Sequence, residues 1–417
     1  MNINSKSNRD PLHDRNFYII ISITLIAIMG GPTIAPILPD LAKVFDVSSQ
    51  EIQLVMAAFF LPIGFATPVL GIIAQRVGLK KVLIPSLILF AIAGGCSSFA
   101  HDFQALLGWR LMQGLGVASL NFIALTMISM MYQGRALTTA MSINVSIIGI
   151  STAIYPVIGG ALGSFSWRYP FLLSVTAFPL VMLVVMMLKL PRKPDDGQND
   201  SFKPSLRSTW HSINNPTVLG LLLAVGSIFA IQSGAFMTYI PILAGVNFGA
   251  SGLVNGVILS SMSISLAIVA SQLGKLAQLT SEVTLIKVAF AITAIALTIA
   301  PVVQNAWFLI VPSILFGVAQ ALAIPSTQAL LAELTTDDTR VGLMAVNATV
   351  QSLCQAAGPL IAGISFGLWG MQGVFWATAV ISLATLFLFS FLLTPKRKVV
   401  PSFIEPLNTV TREKSRK

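Results

Sequence analysis

Two charged residues stand where an apolar sequence gives them little reason to be. Arg110 lies inside "GWRLMQGLG" (108–116), and Asp40 follows "IAPILP" (34–39). A guanidinium at the centre of a transmembrane helix costs about 2.5–3.5 kcal/mol on insertion scales, so a chain that keeps one there is using it. The chemistry open to such a pair is proton transfer. A carboxylate beside a guanidinium loses its proton readily, and separating the two raises its pKa. Arg110 is therefore expected to face an internal cavity, and either to pair with Asp40 or to hold backbone carbonyls of the first helix. Pairing would couple protons to a conformational change. Holding carbonyls would tie two helices together. Little else in the chain could do chemistry. His13, His101 and His211 fall in tails or loops, and none has an acid or cysteine at a catalytic or metal-ligand spacing. Cys96 and Cys354 fall in apolar segments and imply neither a disulfide framework nor a metal site. A glycine-rich phosphate loop with a lysine is missing, which excludes ATP as the direct energy source. No enzyme activity, metal or cofactor is expected.

The elements that must position these residues are membrane helices. Of 417 residues, 55% are hydrophobic and only 10% are charged, against roughly 25% charged in soluble domains. A span needs about 20 mostly apolar residues. Twelve such runs are predicted, near 17–38, 52–73, 82–100, 104–131, 137–162, 169–188, 217–241, 251–273, 284–303, 306–331, 341–367 and 371–393. They are called spans one to twelve below. The first is read as a retained helix, not a signal peptide, because no small-residue cleavage site follows it. The fold class is thus all-α and integral to the membrane, in two six-helix bundles (17–188 and 217–393). A polar, Pro-containing linker (189–216) joins them, with an N-tail (1–16) and a basic C-tail (394–417) outside. The net charge of +10 is a topological signal, not a nucleic-acid one. If both termini are cytoplasmic, 22 of the 25 Lys and Arg residues lie on that side, as the positive-inside rule requires. Lys43 and Arg168 lie on the other side, and Arg110 lies within span four.

The halves repeat. Gly71 and Gly274, Pro156 and Pro359, and Gly114 and Gly317 are each 203 residues apart. Duplicated halves with a site at their interface are a common transporter plan. Arg110 has Ser313 at the same offset, so the arginine belongs to one half only.

At these residues the chain resembles the major facilitator superfamily. "GIIAQRVGLKK" (71–81) is similar to the signature between helices two and three, matching at Gly71, Ala74, Arg76, Gly78, Lys80 and Lys81, with Gln75 at the usual acidic position. "LGWRLMQGLGVA" (107–118) resembles the helix-four signature around a buried arginine, matching at Arg110, Gln113, Gly114 and Gly116. "GISTAIYPVIGG" (149–160) resembles the helix-five signature of drug/proton antiporters through Gly149, Pro156, Gly159 and Gly160, with Tyr155 replacing a glycine. "IAPILPDLAKVF" (34–45) looks like the helix-one exit of twelve-helix drug exporters. The resemblance implies that the 71–81 loop steadies one conformational state. Gly71, Gln75, Arg76, Gly78, Lys80 and Lys81 are the latch candidates, although Gln75 cannot form an ion pair. The bland alternative is a positive-inside anchor. Gly149, Pro156, Gly159 and Gly160 are a candidate helix-five hinge or, equally, a close-packing surface.

Helical spacing selects the faces expected to line a cavity. They carry Met29 and Thr33 on span one, Asn121 on four, Asn144 and Tyr155 on five, and Gln232, Phe236 and Tyr239 on seven. Gln320 and Thr327 follow on span ten, and Asn347 and Gln351 on eleven. Polar groups in lipid must find partners or water, so each is either an interhelical hydrogen bond or a substrate contact. A cavity with one arginine and many apolar groups suits neutral, zwitterionic or anionic amphipathic molecules, because no span carries a mid-depth acid. The expected function is alternating-access, proton-driven efflux of hydrophobic or amphipathic drug-like compounds. The alternatives are a dedicated exporter of one endogenous siderophore or lipid, or an uncoupled facilitator. Expected partners are a small-molecule substrate, protons and membrane lipids, with no nucleic acid. The chain is expected to be a monomer in a bacterial inner membrane.

Overall fold

The computed structural model describes residues 11–188, 215–334 and 337–392. Residues 189–214 of the expected linker, residues 1–10 of the N-tail and the whole C-tail lie outside the described residues. So do His211 and the side chains of Gln75 and Arg340.

In lipid every backbone N–H and C=O must be satisfied within the chain, and the described residues meet that demand with helices and no strand. The helices begin where short polar side chains cap free N–H groups. Asp14 accepts from Asn16 N, Asp102 from Ala105 N, Asn215 from Thr217 N and Ser251 from Val254 N. Two of them end on glycines in left-handed geometry, Gly78 at φ 101° and Gly249 at φ 64°, which side chains rarely adopt.

Ten described helices are long and apolar enough to cross a membrane. The chain is a multi-pass membrane protein. Span two is Leu54–Val77, three Leu79–Ser97, five Gly134–Phe165 and eight Gly252–Leu279. Span four is Phe103–Met131, seven Pro216–Phe248 and ten Ala306–Glu333. Span one differs from the expected straight run. Its helix, Arg15–Met29, gives way to turns and a short 3-10 segment, Ala35–Ile37, before a further helix at Leu38–Val44. The last helical run, Asp337–Leu392, carries a non-helical residue at Gly370, φ 68°. The twelve-span expectation divides that run at Gly370 and counts the interrupted span one as crossing.

The 203-residue repeat reappears in packing. A Cβ on Gly114 would run into the carbonyl of Phe59, and a Cβ on Gly317 into that of Met262. Phe59 and Met262 are themselves 203 apart. In both halves the fourth helix of the repeat lies backbone-to-backbone on the second, and only a residue without a side chain permits it.

The two ends of the bundle differ. One carries Arg76, Lys80, Lys81 and Arg135 and is called the basic end; the far end carries Asp40 and Arg168. The described hydrogen bonds between the halves fall in the far half of the molecule. Asn255 Nδ2 donates to the Pro36 carbonyl at 3.0 Å, Ser263 Oγ to the Thr152 carbonyl at 3.0 Å, and Ser260 Oγ to that of Ala153. Towards the basic end, Gly71, Gly149 and Gly274 have nothing within 4 Å of where a Cβ would stand. The described hydrogen bonds that join the halves thus gather towards the far end.

Candidate functional site

Arg110 is fully buried, two turns into the helix Phe103–Val117. Its Nη1 donates to the Gly30 carbonyl at 3.0 Å and to Gln113 Oε1 at 2.6 Å; its Nε donates to the Val55 carbonyl at 3.3 Å. Gln113 Nε2 passes the chain on to Ser174 Oγ at 2.8 Å. The guanidinium carbon sits 4.3 Å from the Phe59 ring centre and 6.0 Å from that of Phe171, a favourable cation–π arrangement. One side chain thus joins spans one, two, four and six. Its Nη2 is buried without a partner.

The expected Arg110–Asp40 ion pair is not made. Arg110 takes the other alternative and holds backbone carbonyls. The reason is local. At the end of Arg15–Met29 the Thr33 N–H turns to Met29 and the Ile34 N–H to Gly31, which leaves the Gly30 carbonyl for the guanidinium. Asp40 lies in Leu38–Val44, half-buried. Burial pushes its carboxyl above the ordinary aspartate value, and the nearby Lys43 pulls the other way.

A second irregularity matches the first. Gln232–Tyr239, inside span seven, is a π-helix. Shifted by 203 it falls on Met29–Pro36, the turns and 3-10 segment of span one. π segments are frequent at functional sites, and interrupted helices at matching positions of two repeats mark transporter binding sites. The π segment holds Gln232, Phe236 and Tyr239, three of the expected cavity residues. Phe236 is stacked on Phe316 of span ten, centroids 3.9 Å apart and planes 7° apart. Tyr239 is buried against Phe366, and its hydroxyl donates to the Ser49 carbonyl of the other half at 3.4 Å. Gln232 Oε1, both side-chain polar atoms of Gln320, and Asn347 Oδ1 are buried without partners.

The remaining expected residues divide. Asn144 Oδ1 accepts from Thr24 Oγ1 at 2.7 Å, and the Tyr155 hydroxyl donates to the Leu25 carbonyl at 3.0 Å. Both are interhelical bonds between spans one and five. Met29, Thr33 and Thr327 are buried, the two threonines bonding their own helical carbonyls at Met29 and Ala323. Asn121 is exposed and Gln351 half-exposed. In the latch segment Lys80 Nζ donates to the carbonyls of Val185 and Leu188 at 3.0 and 3.2 Å. It caps the end of span six in its own half. Arg76 is exposed. Helix five is continuous through Pro156. A Cβ on Gly159 would meet the Thr33 carbonyl and one on Gly160 that of Gly252, while the Pro156 carbonyl lies where a Cβ on Gly256 would stand. These residues form a close-packing surface against spans one and eight; Gly149, alone, is open.

Sequence reasoning missed Phe59, Phe171 and Phe316, the aromatic partners of Arg110 and Phe236. It also missed Asn255, whose Nδ2 bridges the Pro36 and Pro241 carbonyls. The signal that was there is the repeat offset, which maps the irregular end of span one onto Gln232–Tyr239.

A model of the Major Facilitator Superfamily matches residues 20–295 and 237–416. The chain is 29% identical to the multidrug efflux protein YfmO of Bacillus subtilis over 214 residues, covering 51% of this chain and 52% of that one. It is 25% identical to the bacillibactin exporter of the same organism over 168 residues, 38% of this chain and 41% of the relative. It thus spans about half the length of these two relatives. Similarity to the quinolone resistance protein NorA of Staphylococcus aureus is broader, 24% identity over 87% of this chain and 93% of that one. In fold, the chain is similar to a bacterial homologue of the lysosomal transporter Spinster, solved in an inward-facing, unoccupied conformation. The TM-score is 0.76 at 12% identity, covering 93% of this chain and 97% of the other.

Proposed function

From the premise that the chain belongs to the major facilitator superfamily, a family of transporters and not of enzymes, we propose that it is an exporter of amphipathic drug-like molecules, driven by the proton gradient through alternating access. The observation that carries this reading is the pair of matched irregular segments beside inter-half hydrogen bonds gathered towards the far end. With the basic end cytoplasmic, that arrangement fits an inward-open state. Around the irregular segments the polar side chains are neutral amides among aromatic rings, with Arg110 buried beside the end of span one, a setting that suits neutral, zwitterionic or anionic cargo. Among the relatives, names referring to multidrug efflux and quinolone resistance support a drug-like substrate. Likeness to the bacillibactin exporter supports a second reading, a dedicated siderophore exporter.

In the proposed cycle Asp40 takes up a proton from outside when the far end is open and releases it to the cytoplasmic side once the molecule has returned to the inward-open state, as cargo leaves by the opposite path. The Arg110–Gly30 bond holds the guanidinium at the end of span one. The test uses inside-out vesicles carrying the protein, a ΔpH dye and a panel of amphipathic compounds, with Arg110→Ala and Asp40→Asn alongside. Compound-dependent loss of ΔpH in the native protein, absent from both variants, is the expected result. Labelled compounds crossing with no proton movement would leave an uncoupled carrier.

A further inference from the structure

A buried amide with no hydrogen bond is a costly thing to keep in a membrane helix. Gln320 is 1% exposed, and neither its Nε2 nor its Oε1 has a partner. Because both ends are empty, exchanging the two assignments changes nothing. Gln232 Oε1 is empty as well, so the two amides do not bond each other. Their positions are related through the aromatic stack. Phe236 lies on Phe316, and Gln232 and Gln320 are each four residues from their own ring, on helices that run in opposite directions. One helical turn from the stack, on its basic-end side, the chain therefore places two uncommitted carboxamides on the faces that carry the rings.

The repeat shows how unusual this is. The N-half counterparts of Ser313, Phe316 and Gln320 are Arg110, Gln113 and Val117. There the amide of Gln113 is engaged at both ends, by Arg110 and by Ser174. At these positions the N-half amide ties helices together, and the C-half amides are left free where span seven is π-helical.

We propose that Gln232 and Gln320 form a subsite for an uncharged carboxamide-like group of the cargo, an N–H donor beside a carbonyl acceptor, with the Phe236–Phe316 stack as the wall against which its ring packs. The proposal rests on the transport reading only in assuming that cargo enters between the halves. No described carboxylate, lysine or arginine is bonded to either glutamine, so the group recognised here is neutral. Amide–amide recognition supplies one donor and one acceptor on each side, which a ketone or an ester cannot match.

The probes are naphthalene-1-carboxamide and 1-acetonaphthone, which share ring and carbonyl but differ in the N–H donors. Binding is measured by equilibrium dialysis on the full-length protein in lipid nanodiscs. The native protein binds the carboxamide about three- to tenfold more tightly, the worth of one neutral hydrogen bond. Gln320→Leu brings the ratio to about one; Gln232→Leu lowers it part of the way. Thermal unfolding gives a second readout, because a residue without partners can be replaced by leucine with no loss of Tm. A native ratio near one, no measurable carboxamide binding, discrimination that survives both leucine variants, or a sharp loss of Tm in Gln320→Leu would each overturn the subsite. Transport in vesicles separates this from the wider reading. Both probes carried at a ratio of one would leave an exporter without this subsite. Discrimination in binding with neither probe carried would leave the subsite and remove drug export.

Discussion

Arg110 Nη1 stands 3.0 Å from the carbonyl oxygen of Gly30, at the point where span one leaves its helix. The charge that the sequence places in the membrane is thus spent on backbone that an interrupted helix leaves bare. Arg110→Met would strip the Gly30 and Val55 carbonyls and Gln113 Oε1 of their donor, and each unsatisfied buried group costs about 1–3 kcal/mol. The variant is expected to lose several degrees of Tm, with Arg110→Lys intermediate because a lysine cannot span three acceptors. Thermal unfolding of purified protein measures it, and an unchanged Tm in the methionine variant removes the tie.

Gly114 and Gly317 answer a different question. Both face a carbonyl of the second helix in their own half. Gly114→Ala and Gly317→Ala are each expected to destabilise by about 1–3 kcal/mol through overpacking. Gly71→Ala, at an equally repeated glycine with open space around it, is neutral or slightly stabilising, since alanine is the better helix former. Equal losses at all three positions would contradict the repeat packing.

Asp40 makes stability depend on pH with a definite sign. Its folded-state pKa lies above the unfolded value because burial disfavours the charge. The folded protein then holds the proton more tightly than the unfolded chain, and this residue's contribution falls as pH rises. Asp40→Asn removes that penalty. Its Tm relative to native protein is expected to climb between acid and neutral pH, as read from melting curves across that range. A difference that shrinks with rising pH would mean the carboxylate is stabilised in the fold.

The far end can be locked. The amide of Gln50 lies 2.8 Å from where a Cβ on Gly367 would stand. Gln50→Cys with Gly367→Cys, in a background with Cys96 and Cys354 replaced by serine, is expected to cross-link with a short bis-methanethiosulfonate reagent and to stop transport. Activity returns on reduction. Transport that continues through the cross-link would show that the far end need not open.

What the sequence revealed depended on whether a residue's partner was implied by spacing. The duplicated glycines and prolines are legible because packing in lipid repeats where the fold repeats, and Gly114 and Gly317 have matching neighbours. Arg110 was legible as a buried charge, but its partners were not, because a carbonyl freed by an irregular turn leaves no mark in residue type. Asp40 reads as the acid at the outer end of span one, and the helix Leu38–Val44 carries it to a different environment, beside Lys43. Asn144 and Tyr155 read as cavity residues for the same reason that they serve as interhelical bonds, since a polar side chain on an apolar helix satisfies both patterns. Pro156 promised a bend, and the packing of Gly159, Gly160 and Gly256 around it keeps the helix continuous.

The π segment Gln232–Tyr239 also bears on how this chain tolerates insertions and deletions. Its ladder closes over five residues where an α-helix closes over four, so the segment carries a surplus residue. Losing one residue there would let span seven close as an ordinary α-helix and leave Pro216–Ile231 and Ile240–Phe248 facing as they do now. The same loss inside span five would turn everything beyond it by about 100° and bring the wrong face of Pro156–Gly160 against spans one and eight. Length variation among close kin of this chain should therefore gather within those eight residues, which an alignment of such kin can check.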